Sequence, residues 1–345
     1  MNRLVDHLLP TTVVGAHGRP SWLHTAKAEI ARGAYGPIDT REALDDAVEI
    51  AILDQTRAGI DVITDGEMRR EGFTGSFARR IGNLELVGPS RKVGEVGLDM
   101  EPLYETAGRV EVPHGLGIVE EFEYLRDHTT RPTKVTCPGP FALTAYFRPA
   151  QGYRDRYDLA ADFVPTINAE LRRLVAAGAT YIQIDEPAIS VVDPAPIEPK
   201  QMVALFNRTV EGVEARIALH ICFGTYRKMA YAPRTYRPYF PVLGEARADE
   251  LVLEFANRLM AEIELWNEYG LEQDLGCGVV DVRNWYVESP EDVAGLIRQA
   301  LRHVRPERLV LNPDCGLRRQ ARWVGYKKLQ ALAAGAAIVR RELEG

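Results

Sequence analysis

Eight short apolar runs, each followed by a loop bearing Gly or Pro and then by a segment of helical period, govern what this chain can fold into. They are "TTVVGA" (Thr11 to Ala16), "DVITDG" (Asp61 to Gly66), "TKVTCPGP" (Thr133 to Pro140), "YIQIDEP" (Tyr181 to Pro187), "RIALHIC" (Arg216 to Cys222), "ELVLEFA" (Glu250 to Ala256), "LGCGVVDV" (Leu275 to Val282) and "RLVLNPDCG" (Arg308 to Gly316). Between two of them, Leu44, Val48, Ala51, Ile52 and Gln55 recur near helical spacing up to a stop at Gly59. Further on, Ser289 followed by Pro290 reads as a helix start. Near-continuous apolar strands alternating with helices predict a parallel sheet covered by helices. Eight such units predict an α/β fold of the (β/α)8 TIM-barrel type over residues 1–345, as one catalytic domain. The residues from about 82 to 115 carry no helical period and predict an extended, hairpin-like insertion between strands two and three, before a helix around Val119 to Arg126. A doubly wound open sheet is the competing architecture, but no Gly-rich dinucleotide fingerprint follows the first strand.

Composition narrows the function classes. With 46% hydrophobic and 26% charged residues the chain reads as an ordinary globular protein, and a net charge of −7 argues against nucleic acid or an anionic membrane as partner. No apolar run is long enough to span a bilayer, and the first residues lack a signal-peptide pattern, so a cytoplasmic location is expected. The four cysteines, Cys137, Cys222, Cys277 and Cys315, are too few and too scattered for a disulfide framework and read as core thiols or ligands.

Barrel enzymes carry their chemistry where the strands end. Those ends hold Glu67, Asp185 with Glu186, His220 with Cys222, Glu254, Asp281, and Asp314 with Cys315. His220 and Cys222 stand two apart at the end of one strand, so their side chains leave on the same face. With Glu254 and Cys315 they supply N, S, O and S, a four-ligand set for zinc. Cys277, flanked by glycines, and Cys137 read as core residues.

Two thiolates and a carboxylate make the ion a weak activator of water but leave a bound substrate thiolate electron-rich. A metal-bound thiol loses its proton at neutral pH, whereas a free thiol of pKa about 8.5 is only slightly ionised. The hard carboxylate of Glu254 is the ligand expected to yield to an incoming sulfur. This chemistry suits alkylation of a thiol and suits hydrolysis badly.

These motifs resemble the zinc-dependent, cobalamin-independent methionine synthases, specifically their catalytic C-terminal half. The resemblance runs over nearly the whole chain and rests on "LPTTVVGA", "DVITDGEMRR", "IQIDEPA", "LHIC" and "LNPDCGL". It implies zinc on His220, Cys222, Glu254 and Cys315, and homocysteine as the thiol. It implies that Glu67 and Asp185 hold the homocysteine amino group and that backbone amides around Gly15 and Ala16 receive its carboxylate. His17 and Glu186 complete the expected substrate-binding set, and Glu67, Asp185 and Asp281 are the expected catalytic acids.

Departures from that family pattern affect the donor side. The long synthases have a second, N-terminal barrel for which 345 residues leave no room. Their serine after the first-strand glycine is Ala16 here, followed by His17. Where they carry a tryptophan that stacks on the folate, this chain reads "GPFALTAYF", with Thr144 nearest and Tyr146 close by. Arg283 stands where they have the histidine associated with protonating the departing folate. The chain therefore resembles the short, single-barrel "core" synthases. The expected methyl donor is methylcobalamin or a methylated corrinoid protein in place of methyl-folate. Three alternatives stay open: a coenzyme M alkyltransferase on the same barrel, a folate-using methionine synthase, and a non-catalytic barrel with a structural zinc.

Overall fold

The computed structural model describes residues 4–72, 75–89, 102–187, 198–224 and 234–345. In chain order the strands are β1 (Gly82–Pro89), β2 (Pro102–Glu111), β3 (Val135–Pro138), β4 (Phe147–Gln151), β5 (Tyr181–Asp185), β6 (Arg216–Ile221), β7 (Glu250–Leu253), β8 (Asp274–Val280) and β9 (Leu309–Pro313). Six of them form one parallel sheet in the order β3-β5-β6-β7-β8-β9. Every residue of β3, β5, β7, β8 and β9 is buried, the signature of strands covered on both faces.

The first two apolar runs pair more sparingly. Single parallel bridges join Thr11 to Leu311, Thr12 to Val62, and Ile63 to Thr133. These links carry the pairing from β9 through the segments at 11–12 and 62–63 to the residues leading into β3, so eight parallel segments follow one another in a ring. The fold is the expected (β/α)8 type. The register sets Pro138 level with Asp185, and Asp185 level with His220, so the ends of neighbouring strands open onto one face.

The helices follow local rules. The helix Pro37–Ala58 has proline in its first turn and ends at Gly59, whose φ of 88° is the left-handed conformation that closes a helix with least strain on glycine. In Pro290–Ala300, Ser289 and Asp292 cap each other: the Ser289 hydroxyl accepts the Asp292 N–H at 3.1 Å and the Asp292 carboxylate accepts the Ser289 N–H at 2.9 Å. The predicted helix around Val119 to Arg126 runs from Ile118 to Asp127.

The insertion is a hairpin of antiparallel β1 and β2, to which β4, from the loop after β3, adds a parallel third strand. The sequence does not anticipate β4, because its half-exposed residues carry no core pattern. No helix among the described residues is long and apolar enough to cross a membrane.

Candidate metal and substrate site

β6 carries His220 as its penultimate residue and ends at Ile221, just before Cys222, while the loop after β9 supplies Cys315. One donor atom from each of His220, Cys222 and Cys315 lies within 4.8 Å of the others, and the two sulfurs are 3.6 Å apart. The Nδ1 of His220 lies 3.0 Å from the carbonyl oxygen of Val252, which makes it the protonated nitrogen. Its Nε2 is buried without a hydrogen-bond partner. An aligned imidazole with an unused nitrogen beside two thiols is what a metal site requires of its ligands. The Cys222 thiol and, against burial, the His220 ring hold the Cys315 thiol well below its ordinary range, while the same pairing and burial push Cys222 up.

Glu254 follows β7 and is fully buried, but it lies outside this three-donor cluster. Both of its oxygens accept from one terminal nitrogen of Arg283, at 2.8 and 2.6 Å, and Oε2 also accepts the Phe223 N–H at 3.2 Å. The structure thus brings together three of the four expected ligands and holds the fourth against an arginine. Arg283 also donates to the Gly224 carbonyl, two residues past Cys222.

Glu67 sits in the loop after the second segment with φ of 52°, a left-handed conformation uncommon outside glycine. Its Oε1 accepts from Thr136 Oγ1 at 2.9 Å and lies 3.2 Å from Arg70. Gly15 has φ of 154°, and a Cβ built there would lie 2.5 Å from that same Oε1, so the absence of a side chain lets Glu67 reach the first strand. Ala16 accepts the Leu317 N–H at 2.7 Å, which sets it beside the Cys315 loop. His17 is committed elsewhere: its backbone N–H donates to Gly66 and its Nε2 pairs with Asp54 at 3.0 Å, a carboxylate also held by Arg322. It braces the first loop.

Asp185 is level with His220 at the end of β5, and its Oδ1 accepts from Gln183 at 2.7 Å, which in turn accepts from the buried Lys134 at 2.8 Å. Burial pushes the Asp185 carboxyl up to about 7, although His220 pulls it down. Glu186 turns from the opening: its oxygens accept the N–H groups of Phe141 and Ala142 at 3.1 and 2.9 Å. Asp281 accepts from the backbone of Arg283 and from the Asn257 and Asn284 side chains, as a loop cap would.

Sequence reasoning missed one support, Tyr236, and gave no role to another, Asp314. The Tyr236 hydroxyl donates to Ile221 and accepts the Glu254 N–H. Asp314, fully buried, accepts the N–H groups of Phe255, Ala256 and Asn257 at 2.7–2.9 Å, tying the chain after Glu254 to the neighbour of Cys315. Asp314 was legible as an acid at a strand end. Tyr236 left no signal, because it lies far in sequence from any strand end.

Comparison with known proteins places the chain in a family. The family model described as "Cobalamin-independent synthase, Catalytic domain" matches residues 9–337. A methionine synthase of Saccharolobus solfataricus is 36% identical over 338 residues, covering 98% of this chain and 96% of that protein. One from Sulfurisphaera tokodaii is 33% identical, covering 98% and 94%. The structure of a B12-independent methionine synthase from Shewanella sp. W3-18-1, in complex with selenomethionine, superposes with a TM-score of 0.83 at 28% identity, covering 98% of this chain and 99% of that one.

The family match overturns the expected methylcobalamin donor and corrinoid-protein partner, since the matching family is described by its independence from cobalamin. The residues behind that expectation do other work. Thr144 is buried, donating to the Phe141 carbonyl at 3.1 Å and accepting from Arg156 at 3.4 Å, so it is not a surface from which a stacking ring has been lost. Arg283 serves Glu254, so its poor acidity says nothing of how a donor departs. With the match spanning almost all of its length, its relatives 33–36% identical and its strand ends gathered as described, the chain belongs to the cobalamin-independent methionine synthase family and is a methyltransferase.

Proposed function

We propose that the chain makes methionine by transferring a methyl group from a methyl-tetrahydrofolate to the thiol of homocysteine, with zinc held by His220, Cys222 and Cys315 and with Glu254 as a fourth, exchangeable ligand. The observation that carries this reading is the cluster of one buried, unpartnered imidazole nitrogen and two sulfurs, that of Cys222 buried and that of Cys315 half-buried, at the strand ends. A donor set of one nitrogen and two sulfurs fits zinc. When bound, zinc supplies a substrate thiol that stays deprotonated at neutral pH. A family that works without cobalamin supports the folate donor.

The chain's own residues orient the acceptor. Glu67 and Asp185 face the amino group of homocysteine, and the backbone at Gly15 and Ala16 receives its carboxylate, beside the Cys315 loop to which Ala16 is bonded. Thr136 and Arg70 fix the Glu67 carboxylate, and Gln183 fixes that of Asp185. Glu186, His17 and Asp281 act through the loops they brace. For the donor, Trp285 and Tyr286 expose ring faces in the loop after β8 and offer apolar surface for a pterin.

The test is an acceptor assay on zinc-loaded protein with methyl-tetrahydrofolate and either homocysteine or coenzyme M. Methionine from homocysteine is the expected product. Preferential methylation of coenzyme M, or protein that retains no zinc, overturns the reading.

A further inference from the structure

A buried carboxylate that leaves a metal needs somewhere to go. Glu254 is fully buried and Arg283 nearly so, and an uncompensated charge in such surroundings is strongly unfavourable. We propose that Arg283 is a positioning residue that receives the Glu254 carboxylate when the substrate thiolate takes the fourth ligand position. This rests on the zinc and homocysteine reading above and concerns a residue to which that reading gives no part.

Three observations carry the inference. Both Glu254 oxygens already lie on one Arg283 terminal nitrogen, away from the cluster of His220, Cys222 and Cys315. The carboxylate has a second prepared partner in the same position, the Phe223 N–H at 3.2 Å. Arg283 is itself fixed by its bond to the Gly224 carbonyl and by its backbone N–H on Asp281 at 2.7 Å, so the receiving group does not have to move. The exchange is balanced in charge. One anionic ligand leaves as another enters, the thiol proton goes to solvent, and the displaced carboxylate stays paired with a guanidinium that carries its charge at every accessible pH.

Zinc K-edge X-ray absorption, with and without homocysteine, tests this alongside chelator competition for zinc. The wild-type protein should pass from two sulfurs to three as one light-atom ligand is lost. In Arg283→Met, resting zinc affinity should be kept or tightened while homocysteine binds about tenfold or more weakly, with the third sulfur reduced in proportion. Arg283→Lys, which keeps the charge and loses the fork, should recover part of that loss. A merely structural arginine would instead lower zinc affinity and thermal stability together, leaving the homocysteine response of the remaining folded protein intact. If Arg283→Met gains its third sulfur at wild-type homocysteine concentrations, or if Arg283→Met misfolds and Arg283→Lys behaves as wild type, the inference is overturned. If the wild-type protein itself never gains a third sulfur, the proposed function has failed and the inference falls with it.

Discussion

The hydroxyl of Tyr236 accepts the backbone N–H of Glu254 at 2.8 Å and donates to the carbonyl of Ile221 at 2.9 Å, bridging the ends of two neighbouring strands from a loop that follows both His220 and Cys222 in sequence. The ring is packed against Phe223, Phe240 and Phe255. Tyr236→Phe keeps that packing and strands two buried backbone groups. It should lower stability by about 1–3 kcal/mol for each group left unsatisfied. Urea unfolding measures the loss; a variant within experimental error of wild type would mean that the bridge contributes nothing.

Cys315→Ser and Cys222→Ala should each abolish zinc retention while leaving most of the fold in place. The cluster sits at the strand ends, where Cys315 only borders a hydrophobic core built from many other buried side chains. Metal analysis after dialysis, with circular dichroism on the same samples, checks both halves. Stoichiometric zinc in both variants would remove these cysteines from the ligand set.

Glu67→Gln and Asp185→Asn should weaken homocysteine by about 10- to 100-fold and leave zinc affinity nearly unchanged, since each removes a charge facing the substrate ammonium, an interaction of roughly 1.5–3 kcal/mol. Gly15→Ala should act in the same direction, because the added methyl would meet the Glu67 carboxylate at 2.5 Å. Equilibrium titration with homocysteine reads all three, and equal losses of zinc and homocysteine would instead indicate collapse of the site.

The bracing of the first loop should show in acid. Burial pushes the Asp54 carboxyl up, but hydrogen bonds from His17 and Arg322 outweigh it and pull it down to about 2, below its ordinary value of 3.8. A carboxyl depressed by folding contributes stability above its unfolded pKa and loses it as pH falls toward the folded value. Wild type should therefore exceed Asp54→Asn in stability at pH 6, and the gap should narrow as the pH falls below about 4. A gap that stays constant from pH 6 to pH 3 would exclude a charged Asp54 as its origin.

The fold was legible because the eight apolar runs carry both the strand pattern and the spacing of a ring, and because Gly59, Ser289 and Pro290 mark helix ends by backbone chemistry alone. His220, Cys222 and Cys315 were legible because strand ends in a barrel converge, so position along the chain translates into position in space. Glu254 stood at a strand end too, yet its partner is set by the direction of a side chain, and Arg283 was first read as a substitute for a proton donor. The same limit misled the donor assignment at Thr144, whose neighbour Arg156 lies in the next helix. β4 and Tyr236 were invisible for a related reason, since each is defined by a partner remote in sequence.

The bridge between Thr11 and Leu311, with the Leu317 N–H on Ala16, means that the first and last segments of the ring meet only when nearly the whole chain exists. During synthesis, His220 and Cys222 leave the ribosome 93 residues ahead of Cys315 in the case of Cys222, an interval of roughly 5–20 s at ordinary elongation rates. A growing chain in that interval has His220, Cys222 and then Glu254, but lacks the second thiol of the three-donor cluster. With zinc held as proposed, the cluster is complete only once the Cys315 loop has closed against Ala16, and a chain still short of that loop makes a poor scavenger of zinc.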